Sequence, residues 1–155
     1  MDRHRDDPNR GRELIRWQWD GFLPRSYLFS IEPIDRKPAN LHQIELPAGH
    51  LFLSPDYACC VQSVGPSFVA LIGHCIDLDR PDAPESDVAS SLLQRAIRHG
   101  IDAMLAATDY LAGRFAAICH VGDGWHVFAD ACATRTVYFA EDRSAIGPIR
   151  LFWVI

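Results

Sequence analysis

The chain has 155 residues, of which 48% are apolar and 23% are charged. This balance is that of an ordinary globular protein and excludes an intrinsically disordered chain. The formal net charge is −5 and the arginines are scattered, so the sequence offers no basic surface to a nucleic-acid partner.

The termini and the cysteines predict the compartment. The first seven residues, MDRHRDD, are too charged for a signal peptide, and no apolar segment follows them. The apolar runs, such as residues 68–72, are too short to span a bilayer. The five cysteines are an odd number without the spacing of a disulfide framework, which indicates reduced thiols. We therefore expect a cytoplasmic protein without a membrane partner.

The first half of the chain is dominated by strand patterns. Residues 1–25 are predicted to form a polar tail followed by a short helical segment. Five apolar segments bounded by Gly, Pro, Asp or Ser are then predicted as strands. They are residues 26–31, 42–46, 50–53, 57–64 and 68–77. The close spacing of the last four predicts an antiparallel meander over residues 42–77.

The apolar period changes to that of a helix after residue 85. Ser86 stands at the predicted N-cap, and Gly100 stands just past the predicted last turn. A second helical face is predicted from Ile101 to Gly113. This helical pair interrupts a chain that is otherwise predicted as strands, which favours an α+β domain spanning residues 26–147.

Strand patterns return in the last part of the chain. Residues 115–121 and 125–129 flank Gly122-Asp123-Gly124, a strong hairpin signal. Further strands are predicted at residues 136–140 and 145–146. Residues 148–155 form a separate apolar C-terminal segment, which we expect to pair in a sheet, to be buried at an interface or to promote aggregation.

Four segments follow a pattern known from one protein family. Residues 71–77 lie where the family has a strand ending in Asn-Gly-Glu-Ile-Tyr-Asn, and residues 85–88 open a helix as its Ser-Asp-x-Glu segment does. Residues 111–116 match Leu-x-Gly-x-Phe-Ala. Residues 130–139 match Asp-x-x-Gly-x-Arg-x-x-Tyr-Tyr, with Ala133 in place of the glycine. In order and spacing, these segments resemble the class II glutamine amidotransferase domain of asparagine synthetase and its relatives.

The resemblance implies the N-terminal-nucleophile hydrolase fold, in which two antiparallel sheets stack in an αββα sandwich with helices on the outer faces. It also implies that active relatives hydrolyse glutamine and pass ammonia to an ATP-dependent synthetase domain. The family nucleophile is a cysteine at the first position, because its own α-amine acts as the base. Here Met1 and Asp2 hold that place, and cleavage at Cys60 would discard predicted core strands. We therefore predict no catalytic residue.

The resemblance also implies a vestigial substrate pocket. Ile72 aligns with the family asparagine that helps to hold the oxyanion. Losing one such hydrogen-bond donor typically raises the activation free energy by roughly 3–4 kcal/mol. Gly73 is retained, and its backbone N–H is expected to be able to donate. Asp87 aligns with the acidic residue that binds the substrate α-amine. Gly73 and Asp87 also have structural uses, in a tight strand end and at a helix N-terminus.

Three functional hypotheses follow. The first is a degenerate amidotransferase-like domain without glutaminase activity, acting as a scaffold or docking domain through a synthetase-type partner or self-association. The alternative is an enzyme component, the amidotransferase half of a split amide ligase. That ligase would use ATP and take its nitrogen from glutamine or ammonia. The third is a binder of a glutamine-like small molecule or a peptide, which would use the vestigial pocket near Gly73 and Asp87. Because the sequence contains no Ser-Gly-Gly-x-Asp-Ser loop, we expect a truncated or degenerate relative of a longer synthetase.

The remaining histidines and cysteines give weaker hypotheses. His120 and His126 flank the predicted hairpin, where we expect a cross-strand pair. Cys75 with His120 is a less favoured catalytic pair, since nothing in the sequence fixes its geometry. The sequence contains no His-Glu-x-x-His or Cys-x-x-Cys pattern, so we predict neither a metal site nor a cofactor.

Overall fold

A computed structural model of the chain describes residues 27–31, 33–34, 41–134, 137–144 and 147–154, with only the backbone described for residues 138–144 and 147–154. The predicted tail and helical segment at residues 1–25 lie outside these residues. Nine strands and two helices are present in the described part of the chain. They are β1 (Tyr27–Ser30), β2 (His42–Ile44), β3 (His50–Leu53), β4 (Cys59–Val64), β5 (Ser67–Asp77), α1 (Glu85–His99), α2 (Ile101–Thr108), β6 (Leu111–Val121), β7 (Gly124–Ala129), β8 (Val137–Ser144) and β9 (Gly147–Val154).

The strands form two antiparallel sheets, which confirms the predicted α+β class. One sheet has the order β2-β3-β1-β9-β8 and the other the order β4-β5-β6-β7. The meander predicted over residues 42–77 is confirmed for the neighbouring pairs β2–β3 and β4–β5. It is wrong between β3 and β4, because β3 pairs with β1 while β4 joins the other sheet. The second sheet does follow chain order, with both helices inserted between β5 and β6.

The long strands β5 and β6 are apolar on both faces because both faces pack against other elements. Val69, Leu71 and Cys75 share a buried cluster with the apolar stripes of α1 and α2. Phe68 and Ile72, on the opposite face of β5, share a second cluster with buried side chains of β1 and β3. The second sheet is therefore the centre of the molecule's core.

The helix α1 begins at Glu85, two residues earlier than the predicted Ser86 cap implied. Pro84 occupies the N-cap with φ −66° and ψ 155°, and its carbonyl accepts the backbone N–H of Asp87 at 2.9 Å. Proline has no side-chain acceptor, and no side-chain hydrogen bond caps this helix. The predicted end is confirmed, since Gly100 follows the last turn with φ 87°.

The helix α2 ends at Thr108, before the predicted limit at Gly113. The Thr108 hydroxyl donates to the carbonyl of Leu105, and Tyr110 N–H donates to Ala107. From Leu111 the chain instead pairs with β5. Long-range strand pairing here overrides the local helical period.

The C-terminal segment pairs in a sheet, which is one of the three outcomes expected for it. Strand β9 lies between β1 and β8, with Tyr27 opposite Val154 and Val137 also opposite Val154. Strand β8 runs on to Ser144, beyond the predicted end at residue 140. The strand predicted at residues 145–146 falls outside the described residues.

The hairpin predicted at Gly122-Asp123-Gly124 is confirmed. Val121 pairs with Gly124, which leaves Gly122 and Asp123 as the turn between β6 and β7. Gly122 has a φ of 61°, which a residue with a side chain adopts only at a cost. Of the helices in the described part of the chain, neither is long and apolar enough to cross a bilayer.

Candidate functional site

The first three segments of the sequence resemblance and the start of the fourth lie near one end of the second sheet, whereas residues 137–139 of the fourth belong to β8 in the other sheet. Gly73 of β5 stands opposite Phe115 of β6, whose carbonyl accepts the backbone N–H of Asp130 at 3.0 Å. His74 reaches the first residue of α1, with 3.4 Å between its Nδ1 and Oε1 of Glu85. We call this region, which comprises residues 71–77, 85–88, 111–116 and 130–134, the four-segment end.

The predicted oxyanion position is filled by the core. Ile72 is fully buried and belongs to the cluster that contains Tyr27 and Leu51 of the other sheet. Gly73 has a φ of 100°, and its backbone N–H donates to the carbonyl of Ala58 at 2.8 Å. The amide that was expected to be available to an oxyanion therefore has an acceptor within the protein.

Asp87 lies on a different element from the other two predicted pocket residues. It is the third residue of α1, and its side chain is exposed. Together with Glu85 it places negative charge in the first helical turn, where charge of that sign is favourable. The structure joins α1 to β5 beside these residues through Glu85 and His74. Both partners are largely exposed, so this contact adds little stability.

Two backbone positions at the four-segment end have special geometry. Gly113 has a φ of 129°, and a Cβ built on it would lie 2.2 Å from the carbonyl oxygen of His74. Only glycine allows β5 and β6 to approach so closely here. Ala133 has a φ of 47° and is the non-glycine residue with positive φ in the described part of the chain.

The turn that holds Ala133 is organised by Asp130. Its Oδ1 accepts the backbone N–H groups of Cys132 and Thr134 at 3.1 and 3.2 Å, and its Oδ2 accepts the Thr134 hydroxyl at 2.6 Å. Burial alone would raise the pKa of Asp130, but these hydrogen bonds to the carboxylate outweigh it and lower the pKa below its usual value. Asp130 therefore has a structural role in this turn.

The buried thiols are poor nucleophiles. Burial raises the pKa of Cys59, Cys75 and Cys119 to about 12. Such a thiol stays protonated at neutral pH, and the thiol is a much weaker nucleophile than the thiolate. Burial also raises the pKa of Cys60. These four cysteines behave as small apolar side chains and not as candidates for covalent catalysis.

Two predicted side-chain pairs do not form. Cys75 stands opposite Gly113 and His120 opposite Phe68, so about 23 Å of strand separates them. The Cys75–His120 pair is therefore wrong. His120 is paired with Trp125, at a ring distance of 4.4 Å.

The predicted His120–His126 pair is also wrong. His126 stands opposite Cys119, one position from His120, and adjacent residues of a strand point to opposite faces. His120 instead places its Nδ1 3.1 Å from the carbonyl oxygen of Pro66. Among the residues that the structure describes, no group of three His, Cys, Asp or Glu side chains could hold a metal ion.

The structure shows a cleft that the sequence reasoning missed. It has a volume of about 570 Å³ and lies between α1, α2 and the turn after β5. The residues that line it are Asp77, Asp79, Arg80, Val88, Ser91, Leu92, Arg95, Ala103, Ala106, Ala107, Tyr110 and Leu111. None of the three predicted pocket residues is among them. The sequence carries one signal for this cleft, the alanines of α2, because their short side chains leave space beside the polar positions of α1.

Comparisons of this chain with protein-family models, with curated proteins and with solved structures find no match.

Proposed function

We propose that this chain is a glutaminase-like domain of the asparagine synthetase family that does not hydrolyse glutamine and acts as a scaffold or docking domain in the cytoplasm. One observation carries the proposal. The Gly73 amide donates to Ala58, and the neighbouring position holds the buried side chain of Ile72. Neither group that would have to stabilise an oxyanion is available for it.

Backbone geometry supports the family assignment. The family motif has glycine where this chain has Ala133, and the backbone there has the positive φ that glycine would favour. Gly113, which is retained from the motif, is required by the close approach of His74. A residue pattern taken from one family thus coincides with two positions of unusual conformation.

The packing supports the sandwich arrangement that belongs to this fold. Buried side chains of β1 and β3 share one cluster with Phe68, Ile72 and Ile118 of the other sheet. The opposite face of β5 and β6 packs against α1 and α2. We propose that the two sheets stack face to face, with these helices on one outer face of an αββα sandwich.

Exposed apolar side chains next to the four-segment end support a docking role. Ile76, Leu78 and Tyr110 are each about half exposed. Leu78 and Tyr110 are held together by a backbone hydrogen bond of 2.9 Å, from Leu78 N–H to the carbonyl of Tyr110. Large apolar side chains grouped at a surface are a feature of protein interaction sites.

The absence of activity is tested by glutamine hydrolysis. We expect the purified protein to release glutamate at the rate of the buffer alone, and Cys→Ala changes at each of the five cysteines to leave that rate unchanged. Turnover above the buffer rate that disappears with a single Cys→Ala change would refute the proposal, because it would identify a working nucleophile.

The docking role is tested with a double variant, Leu78→Ser with Tyr110→Ser. Both side chains are largely exposed, so the fold should persist, as judged by an unchanged far-UV circular dichroism spectrum. We expect this variant to lose the self-association, or the binding of a protein partner, that the wild-type chain shows. Val64→Ser changes an exposed residue of β4, away from this surface, and should retain the same binding. Capture of an ATP-dependent synthetase would favour the split amide ligase over a simple scaffold. Equal capture by wild type and double variant would remove this surface from consideration.

A further inference from the structure

The cleft between α1 and α2 has the dimensions of a small-molecule site. Its volume of about 570 Å³ falls in the range of roughly 300–1,000 Å³ that is usual for ligand pockets. The wall contributed by α2 consists of Ala103, Ala106 and Ala107. Because these side chains end at a single methyl group, the space beside them is not filled by the protein.

One pair of charges at the cleft is internally neutralised. Nη2 and Nε of Arg80 donate to Oδ2 of Asp77 at 2.9 and 3.0 Å. The hydrogen bond from Arg80 is the main reason that the pKa of Asp77 lies below its usual value. The second oxygen, Oδ1, accepts the backbone N–H of Asp79 at 3.0 Å. These contacts fix the turn and occupy the Asp77 carboxylate.

A second pair of charges at the cleft is not neutralised. Asp79 and Arg95 both line it, and neither makes an ion pair with any residue in the described ranges. Asp79 belongs to the turn after β5, which the bond from Leu78 N–H to the Tyr110 carbonyl holds beside the end of α2. Arg95 lies seven residues after Val88, or about 10 Å along α1.

The cleft thus carries one available negative group, one available positive group and an apolar wall of alanines. We propose that it binds a small linear zwitterion, with the ligand carboxylate on Arg95, the ligand ammonium on Asp79 and the intervening chain against Ala103, Ala106 and Ala107. Guanidinium groups suit carboxylates because two N–H donors match the two carboxylate oxygens. This inference is independent of the proposed loss of glutaminase activity.

The experiment uses ε-aminocaproate, which carries both charges on an apolar chain, with caproate and hexylamine as probes that each carry one charge. Binding to the full-length chain is followed by chemical-shift changes or by calorimetry. We expect ε-aminocaproate to bind in the millimolar range and more tightly than either single-charge probe. Equal affinity for caproate, or no binding of ε-aminocaproate at roughly 50 mM, would overturn the proposal.

Variants locate the site. Arg95→Ala and Asp79→Asn should each weaken binding by about three- to tenfold, the range expected for one exposed charge pair. Arg98→Ala and Asp102→Asn are matched controls, since both residues lie on the same two helices but outside the cleft, and they should not change binding. Ala106→Leu fills the cleft from an exposed position and should abolish binding while the thermal unfolding midpoint is retained. Unchanged affinity in these cleft variants would also overturn the proposal.

Discussion

Replacing Ala133 with glycine should stabilise the protein, although glycine usually does the opposite. Ala133 has a φ of 47°, in the left-handed region where its Cβ crowds the backbone. It ends a turn in which its own N–H donates to the Asp130 carbonyl at 2.8 Å. The turn is fixed by hydrogen bonds around Asp130, so the backbone cannot relax to negative φ without breaking them.

The expected magnitude is a balance of two terms. Holding a residue with a Cβ in the left-handed region costs roughly 1–2 kcal/mol, and the change to glycine removes that cost. Glycine adds conformational entropy to the unfolded chain, which costs about 0.4–1 kcal/mol. The difference favours Ala133→Gly by about 0.5–1 kcal/mol. For a chain of this length, that corresponds to a rise of about 2–3 °C in the unfolding midpoint.

Urea unfolding of wild type, Ala133→Gly and Ala131→Gly measures this balance. Ala131 lies in the same turn, is also exposed and does not have a positive φ. Glycine at position 131 therefore brings only the entropic cost, and we expect a loss of about 0.5–1 kcal/mol. If Ala133→Gly loses as much stability as Ala131→Gly, then position 133 is not strained and the reasoning fails.

Three further predictions concern the same end of the sheet. Gly113→Ala should destabilise the protein by roughly 3 kcal/mol or more, because the new Cβ would overlap the His74 carbonyl. Gly122→Ala adds a Cβ that contacts no other atom and should cost only about 1 kcal/mol. Urea unfolding of the two variants compares these losses of stability. Because the pKa of Asp130 is lowered in the folded state, its contribution to stability is complete above the unfolded pKa of about 4 and is lost as the pH falls through the folded value. The gap in unfolding free energy between wild type and Asp130→Asn should thus be constant near pH 7 and shrink below about pH 4, and a gap that widens in acid would contradict this. The exposed Cys132 should react first with a thiol reagent at neutral pH, and the buried cysteines of β5 and β6 only when the protein unfolds; rapid modification of all five in the native protein would refute this.

Local signals were sufficient for much of the fold. The strand at His50–Leu53 has the predicted bounds, and the hairpin around Gly122 and the stop at Gly100 were each predicted from a glycine. These features depend on the conformational freedom of glycine or on the spacing of apolar residues along a short segment, and the sequence shows both directly. The sheet to which each strand belongs is not a local property. The chain passes from one sheet to the other between β3 and β4, and the turn at Ser54-Pro55-Asp56 carries no mark of that change.

The candidate sites were harder to predict because they depend on neighbours that are distant in sequence. The Gly73 amide could be named as a donor from the sequence, but its acceptor, Ala58, is set by the geometry of β4 against β5. The cleft likewise depends on how α2 crosses α1. Arg95 and Asp79 look like ordinary surface charges in the sequence, and only tertiary packing brings them to the same cleft as the alanines of α2.

The side chain at position 72 bears on both the packing of the core and the proposed lack of glutaminase activity. An isoleucine side chain that is fully buried contributes about 1.5–3 kcal/mol relative to exposure. Asparagine, which the proposed family has at this position, would need hydrogen-bond partners there, and an unpartnered buried amide costs about 1–3 kcal/mol in proteins. The cluster around Ile72 is built from apolar side chains, including Phe68 and Leu51. On the proposed family assignment, isoleucine at position 72 therefore fits this apolar cluster better than the family's asparagine would, and the same side chain has no hydrogen bond to donate to an oxyanion.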